Sequence, residues 1–485
     1  MYTWLPLNSP ADIEKLRTEL SAEYDSESII KKLSSGISSA VKAILIERQY
    51  IDKDYRSTYY NFYAKKGKVY RTDCVRLHFF DETVTFNSEA FKLGGHAEDQ
   101  LRFHYYGYIV LRPTEIATIG RSIVSPDVRT GASGMIIAAD HKVHLLGYEL
   151  LVHGFPSMDQ HNDISVCAHA ACWSILRHYS VSYNIYREFL TYDITLMAQQ
   201  FDPGGLVPSR GLQISHAERV FQEAGTFPIH VVRTAPNDAA FYRQLHAYIE
   251  SGFPLFAAMH SQRHAIAVVG YEWQSPSHNP FTEMRYAWDE VKSIVVVDDH
   301  SLPYQSVAIQ GGDPYSATDI DTFIVALPEK IFYPADAVDH LAQNLCTLGK
   351  ALGLPPKEEI IVRYFITTGS ALRQFVRSRE SEFDYQLIET IMTLPFAQFV
   401  WIVEFATSDD WSKGQISARA VLDATASLRE VMPLWLFHSR TKALVFDRTM
   451  VGANTENIRS LALSGMETTA FTRWDRNLRP IVQRK

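Results

Sequence analysis

Between residues 154 and 330 the sequence places its helix-patterned segments first and its strand-patterned segments second, and this order constrains the fold most. The helical half holds "CAHAACWSILRHY" (167–179), a stretch over 183–200 and "SHAERVFQEAG" (215–225). The second half holds "PLFAAMH", "HAIAVVGYEW", "SIVVVDD" and "TFIVALP", short β-branched runs bounded by turn residues. Helices followed by strands exclude a string of alternating βαβ units and predict a segregated α+β fold. Within 215–225, Ser215 and Glu218 predict a capping box, and Gly225 stands where the helix should stop.

The flanking sequence is also mixed. Residues 9–24 and 26–48 read as helices, with Ser9 and Ser26 as N-caps and Ile29, Ile30, Leu33, Ile37, Val41 and Ile44 at helical spacing. From 58 to 152 the runs "CVRLHFF", "YYGYIVLRP" and "KVHLLGYELLV" predict strands, punctuated by "KKGK", "LGGH" and "RTGASG". Beyond the break at "GLPPKEE", "EIIVRYFI", "FVWIVEFA" and "ALVFD" predict strands, and "SALRQFVRSRESEFDYQLIETIMTL" predicts a helix. The expected organisation is three α+β regions, 1–152, 153–335 and 336–485.

At 485 residues, such a chain has length for about two to four domains with their own cores. Apolar residues make up 46% and charged residues 21%, which suits a soluble globular protein. No run approaches the roughly 18 apolar residues of a membrane span, and "MYTWLPLNSPADIEKLRTEL" lacks the basic and apolar regions of a signal peptide. Four cysteines (74, 167, 172 and 346) without a pattern predict a reducing compartment, hence the cytoplasm. The net charge of −8 argues against a nucleic-acid partner. One stretch, "KDYRSTYYNFYAKKGKVYR" (53–71), interleaves aromatic and basic residues as single-strand binders do, but reads better as an edge strand or hairpin with a solvated basic side.

The chemistry-bearing stretch is "SVCAHAACWSILRHY" (165–179). Ala168, Ala171, Cys172, Ile175, Leu176 and Tyr179 form one apolar stripe, with His169, Ser174, Arg177 and His178 mostly off it. Cys172 therefore reads as a packing residue. Cys167 stands in the first helical turn, where free N–H groups and the helix dipole stabilise a thiolate. A cysteine nucleophile needs a base, an orienter and an oxyanion donor. His264 opens the strand "HAIAVVGY", and Asp298 ends "SIVVVDD", where it can hold the Nδ1–H of the imidazole. Gln160 offers a side-chain amide seven residues before Cys167.

Rival assignments are weaker. Cys172 as nucleophile would lie mid-helix without free N–H groups. Zinc held by Cys167, His169 and Cys172 with His161 or His178 lacks the second, separated ligand pair of a structural site, so neither metal nor cofactor is expected. His169 lies too close to Cys167 on one helix to be its base, and His260 falls in the turn before His264. Asp299 competes with Asp298, because alternating residues of a strand face opposite ways. "DPGGLVPSRGL" (202–212) lacks the lysine and the strand-to-helix setting of a phosphate loop and reads as a surface loop beside the cleft.

Taken together, "GFPSMDQHNDISVCAHAACWSILRHYS", "YIESGFPLFAAM", "HAIAVVGYE" and "IVVVDDHSLPY" resemble the papain-like cysteine peptidases, and among them the peptidase C39-like family of bacteria. The resemblance covers about 155–330. It implies a papain-like domain between flanking α+β regions, with Cys167 as nucleophile, His264 as base, Asp298 as orienter and Gln160 as oxyanion donor. It also implies a protein or peptide substrate cleaved at a peptide or isopeptide bond. The sequence departs from the family's Asp-Cys-Gly with Val166-Cys167-Ala168, and from its Asp-Pro with Asp298-Asp299. The same groups would serve a deamidase or amide transferase, and a papain-like fold without catalysis would be a binding or regulatory protein. The flanking regions read as recognition, regulatory or oligomerisation modules.

Overall fold

The computed structural model describes residues 2–21, 24, 26–67, 69–82, 96–114, 118–160, 167–198, 212–274, 283–328, 330–430, 432–447, 458–463 and 470–482. Its architecture is a mixed α+β fold built on three larger sheets. The first is antiparallel throughout, in the order Tyr2–Pro6, Ala43–Tyr50, Cys74–Phe80, Tyr105–Arg112, Thr118–Val124, Tyr148–Ser157, Ala139–Leu145. The second runs Gln305–Ala308, Val291–Val297, His264–Trp273, Leu255–Met259, Thr322–Leu327, Phe227–Val232. The third contains Ile361–Thr368, Phe399–Ala406, Ala418–Asp423, Leu434–Ser439, Lys442–Phe446 and Ile458–Ala462.

Short strands pass between these regions. Met135–Ile136 pairs with His264–Trp273 and with Arg479–Pro480, so the second sheet takes a strand from each flank. Gly270 makes the first pairing feasible, because a Cβ there would meet Met135 O at 2.1 Å. Arg285–Tyr286 pairs in parallel with Ile361–Thr368 in the third sheet. One hydrophobic cluster is continuous from Leu16 through Trp173 and Ile266 to Leu478.

The Cys167–Ser182 helix lies between sheets, packed on Leu255–Met259 and His264–Trp273 on one side and on Ala139–Leu145 and Tyr148–Ser157 on the other. Every residue from Ala168 to Tyr179 is buried, so the expected polar face does not exist. Its polar groups find internal partners instead. Arg177 Nη2 donates to Asp54 Oδ1 and Oδ2 at 2.8 and 3.0 Å, and the Trp173 indole donates to Asp54 Oδ1 at 2.9 Å. His178 stacks on Phe155 with ring centroids 5.0 Å apart.

Other expectations are corrected in the same way. The helix read over 26–48 ends at Gly36, and Ala43–Tyr50 is a strand. Its first four residues are buried on both faces, a pattern in which apolar spacing does not separate helix from strand. The basic aromatic stretch opens with a helix, Lys53–Asn61, capped by Asp52 Oδ1 accepting from the Tyr55 N–H at 2.8 Å. Tyr55 and Tyr63 turn into the core instead of offering a stacking surface. Ser215 and Glu218 do not box the 214–223 helix: Gln213 is its N-cap, and the Gln213 N–H donates to His216 Nδ1 at 3.2 Å. Gly225, with φ of +85°, does end that helix. The helix read over 183–200 is confined, within the described residues, to Thr191–Met197. The long C-terminal helix is two, Gly369–Arg377 and Tyr385–Thr393, each with its own cap from Thr368 or Asp384. Residues 202–211, His161 and Leu93–Gly95 of the expected "LGGH" turn lie outside the described residues.

Candidate active site

The site forms where one end of the second sheet meets the start of the buried helix. Cys167 is the first residue of that helix and is half-buried. His264 is the first residue of its strand, opposite Met259 across a hairpin closed by Arg263 at φ of +50°. The neighbouring strand runs antiparallel, with Ala267 opposite Val297. That register carries the start of one strand and the end of the other to the same edge, which brings Asp298 beside His264.

His264 Nε2 lies 3.1 Å from Asp298 Oδ1, off the direction of the N–H, so the contact is an ion pair more than a directed hydrogen bond. Cys167 lines the same cleft and acts on the ring electrostatically. Asp298 takes Nε2, where the sequence reading gave it Nδ1, which leaves Nδ1 as the second ring nitrogen. Either orientation serves, since a neutral imidazole carries one proton and one lone pair whichever way it lies. Burial favours the neutral ring, but Asp298 and Cys167 outweigh it and raise the His264 pKa to about 10.

Asp298 and Asp299 do not face opposite ways as strand alternation predicts. The strand ends at Val297 and the chain turns, with the Ser301 N–H donating to Asp298 O, so Asp299 Oδ1 also stays 3.9 Å from His264 Nε2. The surroundings of the two carboxylates differ. Burial alone would raise Asp298, but contacts with His264 and His300 and the Tyr315 hydroxyl, donating to Oδ2 at 2.5 Å, hold it well below the usual carboxylate range. Asp299 has no hydrogen-bond partner for either oxygen among the described residues, and burial, with Asp298 beside it, pushes it up to about 6. Asp298 is the charged neighbour of the ring.

A cleft of about 750 Å³ opens onto this edge, lined by Gln160, Cys167, Ala168, Ile214, Phe256 and His264 among others. Gln160 thus shares a cleft wall with the thiol. Its loop is held from behind: Lys32 Nζ donates to Asp159 Oδ2 at 2.6 Å and to Asp299 O at 2.9 Å. The buried Arg112 Nη2 donates to Asp159 O and Gln160 O at 3.0 and 3.4 Å. Sequence reasoning missed Lys32, Arg112, Asp159, His300 and Tyr315. Only His300, directly after the two aspartates, carried a local signal.

The remaining candidates fall elsewhere. Cys172 is fully buried and its thiol is pushed well up by burial. His169 is buried, with its pKa lowered to about 4 by loss of solvent. His260 stands on the exposed rim of the cleft, paired with Asp321. Among the described residues, Cys167, His169, Cys172 and His178 do not converge as metal donors. No protein-family model, no curated protein and no solved structure matches the chain.

Proposed function

We propose that this chain is a papain-like cysteine peptidase of the peptidase C39-like kind, which hydrolyses a peptide or isopeptide bond in a selected protein substrate. The observation that carries this reading is the position of His264, lining one cleft with Cys167 and standing 3.1 Å from the Asp298 carboxylate. His264 takes the thiol proton of Cys167, giving the thiolate that attacks. The sulfur adds to the substrate carbonyl, and the amide of Gln160 and the Cys167 N–H receive the developing oxyanion. His264 gives its proton to the leaving amine, then takes one from water, whose oxygen releases the acyl group from sulfur. Asp298 keeps the ring oriented and balances its charge through both steps. The mainly apolar lining of the cleft suits an extended peptide with apolar side chains.

The setting proposed is cytoplasmic, in keeping with four free cysteines. The first and last regions are proposed to recognise substrate, regulate access or assemble the protein with itself or a partner.

The test is selective alkylation combined with a cleavage assay. Near neutral pH, iodoacetamide should modify Cys167 far faster than Cys74, Cys172 and Cys346, all of which are buried. A peptide library analysed by mass spectrometry should show chain cleavage that disappears in Cys167→Ala. Equal reactivity of all four thiols, together with an unchanged library, would overturn the reading. A small mass gain without cleavage would redirect it to deamidation.

A further inference from the structure

Asp299 is a carboxylate whose side chain is only 1% exposed, and neither oxygen has a hydrogen-bond partner among the described residues. Leaving a buried acidic group unpartnered is costly, so its surroundings point to what it awaits. Asp299 Oδ1 lies 3.9 Å from His264 Nε2 and 3.7 Å from His300 Nδ1. Asp298 Oδ1 lies 3.1 and 3.3 Å from the same two nitrogens. Two ring nitrogens and two carboxylate oxygens therefore cluster, all within 4.8 Å of one another.

The nitrogen–oxygen separations are close to those around a small tetrahedral cation. Zinc bonds to nitrogen and oxygen of about 2.0–2.1 Å give a tetrahedron with edges of roughly 3.3–3.4 Å. The four cross-distances bracket that value, while the widest separation in the cluster, 4.8 Å, has to close by more than an ångström on a metal, a movement open to the exposed His300 ring. Donor type agrees: two imidazoles with two carboxylates suit the zinc class, whereas calcium and magnesium take six or more oxygens. Two carboxylates would neutralise a divalent charge in this buried setting. The outer contacts are compatible: the Tyr315 hydroxyl holds Asp298 Oδ2, and Oδ1, which accepts the His300 backbone N–H at 2.9 Å, keeps a second lone pair for the centre. His300 is 64% exposed and gives the ion a path from solvent.

We propose that His264 Nε2, His300 Nδ1, Asp298 Oδ1 and an oxygen of Asp299 form a site for a divalent transition metal of the zinc class, whose occupancy switches off the Cys167–His264 pair. The switching follows from the ring's two nitrogens. A neutral imidazole that gives its Nε2 lone pair to a metal carries its single proton on Nδ1, so it cannot accept the thiol proton there. This inhibitory half rests on the peptidase reading; the binding half does not.

The test uses the full chain freed of metal with a chelator, titrated with Co²⁺ by visible absorption and with Zn²⁺ by calorimetry. The expected result is one equivalent bound, a tetrahedral cobalt spectrum displaced by zinc, and affinity reduced about tenfold or more in both His300→Ala and Asp299→Asn. His300 is exposed, so its variant keeps the test usable if Asp299→Asn folds poorly. No saturable binding, or unchanged affinity in His300→Ala, overturns the site. So does a thiolate-to-cobalt charge-transfer band that vanishes in Cys167→Ala, because the metal would then sit on the sulfur. With a cleaved substrate, zinc should abolish turnover, at a concentration about tenfold or more higher in His300→Ala. Full turnover with zinc bound overturns the switch. An inactive chain that still binds cobalt through these ligands retains the site and loses only the peptidase reading.

Discussion

Two adjacent carboxylates at one strand end sit in different electrostatic surroundings, and the two imidazoles beside Asp298, backed by one hydroxyl, make the difference. His264 and His300, with Tyr315 donating from behind, hold Asp298 charged, while nothing among the described residues donates to the Asp299 carboxylate, which burial and Asp298 push toward its acid form. Asp298→Asn keeps the shape but loses the charge that balances an imidazolium, and on the proposed mechanism kcat/KM falls by about 10²- to 10⁴-fold. Tyr315→Phe should give a smaller loss in the same direction, because Asp298 keeps its contact with His264. Steady-state cleavage rates of the two variants check the order, and a larger loss in Tyr315→Phe would put the orienting role elsewhere. At this scale the sequence was informative for Cys167, His264 and Asp298, because each marks the end of an element. It was silent on Tyr315, which arrives from 17 residues downstream, beyond the Gln305–Ala308 strand.

Elements far apart in the chain brace the site. The Ser26–Gly36 helix sends Lys32 between Asp159, next to Gln160, and the backbone of Asp299, spanning 127 and 267 positions of sequence. No local pattern announces such a bridge, since an exposed-looking lysine on an amphipathic helix reads as a solvated charge. Lys32→Met should leave the buried Asp159 with fewer partners and cost about 2–3 kcal/mol of stability. It should also loosen the Gln160 loop, lowering kcat more than it raises KM. Denaturant melts and cleavage kinetics on one preparation separate the two effects. A variant equally active per folded molecule would reduce Lys32 to a structural role. The misread elements share one cause. Ile44 sits in the part of a strand buried on both faces, and the 167–182 helix is buried from Ala168 to Tyr179, so neither has the solvent side from which periodicity is read.

Across the whole molecule, buried charge joins the regions that the sequence separates. Arg363 in the third sheet reaches Glu250, at the end of the Ala239–Glu250 helix, at 2.5 Å and Glu404 at 3.0 Å, and Arg419 takes the other oxygen of Glu404 at 2.7 Å. Both glutamates are almost fully buried. Arg363→Met takes its guanidinium from both, leaving Glu250 the Tyr271 hydroxyl and His246 and leaving Glu404 the Arg419 guanidinium, and the expected loss is about 3–5 kcal/mol in a denaturant melt. A shift under about 1 kcal/mol would mean that the carboxylates protonate at little cost.

The dependence of stability on pH also belongs to the whole fold. His141, His169 and His246 are buried with pKa values lowered to about 4, and His178 to about 3, in each case chiefly by burial. The unfolded chain takes up these protons near pH 6.5, whereas the folded chain resists until about pH 4. Their contribution is therefore complete above pH 6.5 and is lost as pH falls through that window, at about 1.4 kcal/mol per pH unit for each ring. His264 has the opposite sign: with its pKa raised to about 10, it favours the folded state below pH 6.5 and loses that contribution as pH climbs toward 10. The two limbs together place maximal stability near neutrality. Urea midpoints should fall from pH 7 to pH 5, before most carboxylates titrate, and His178→Phe should remove about one proton's worth of that slope. Phenylalanine keeps the stack on Phe155, so the change reads titration more than packing. Midpoints that stay level between pH 7 and pH 5 would mean that these rings are already protonated in the folded chain.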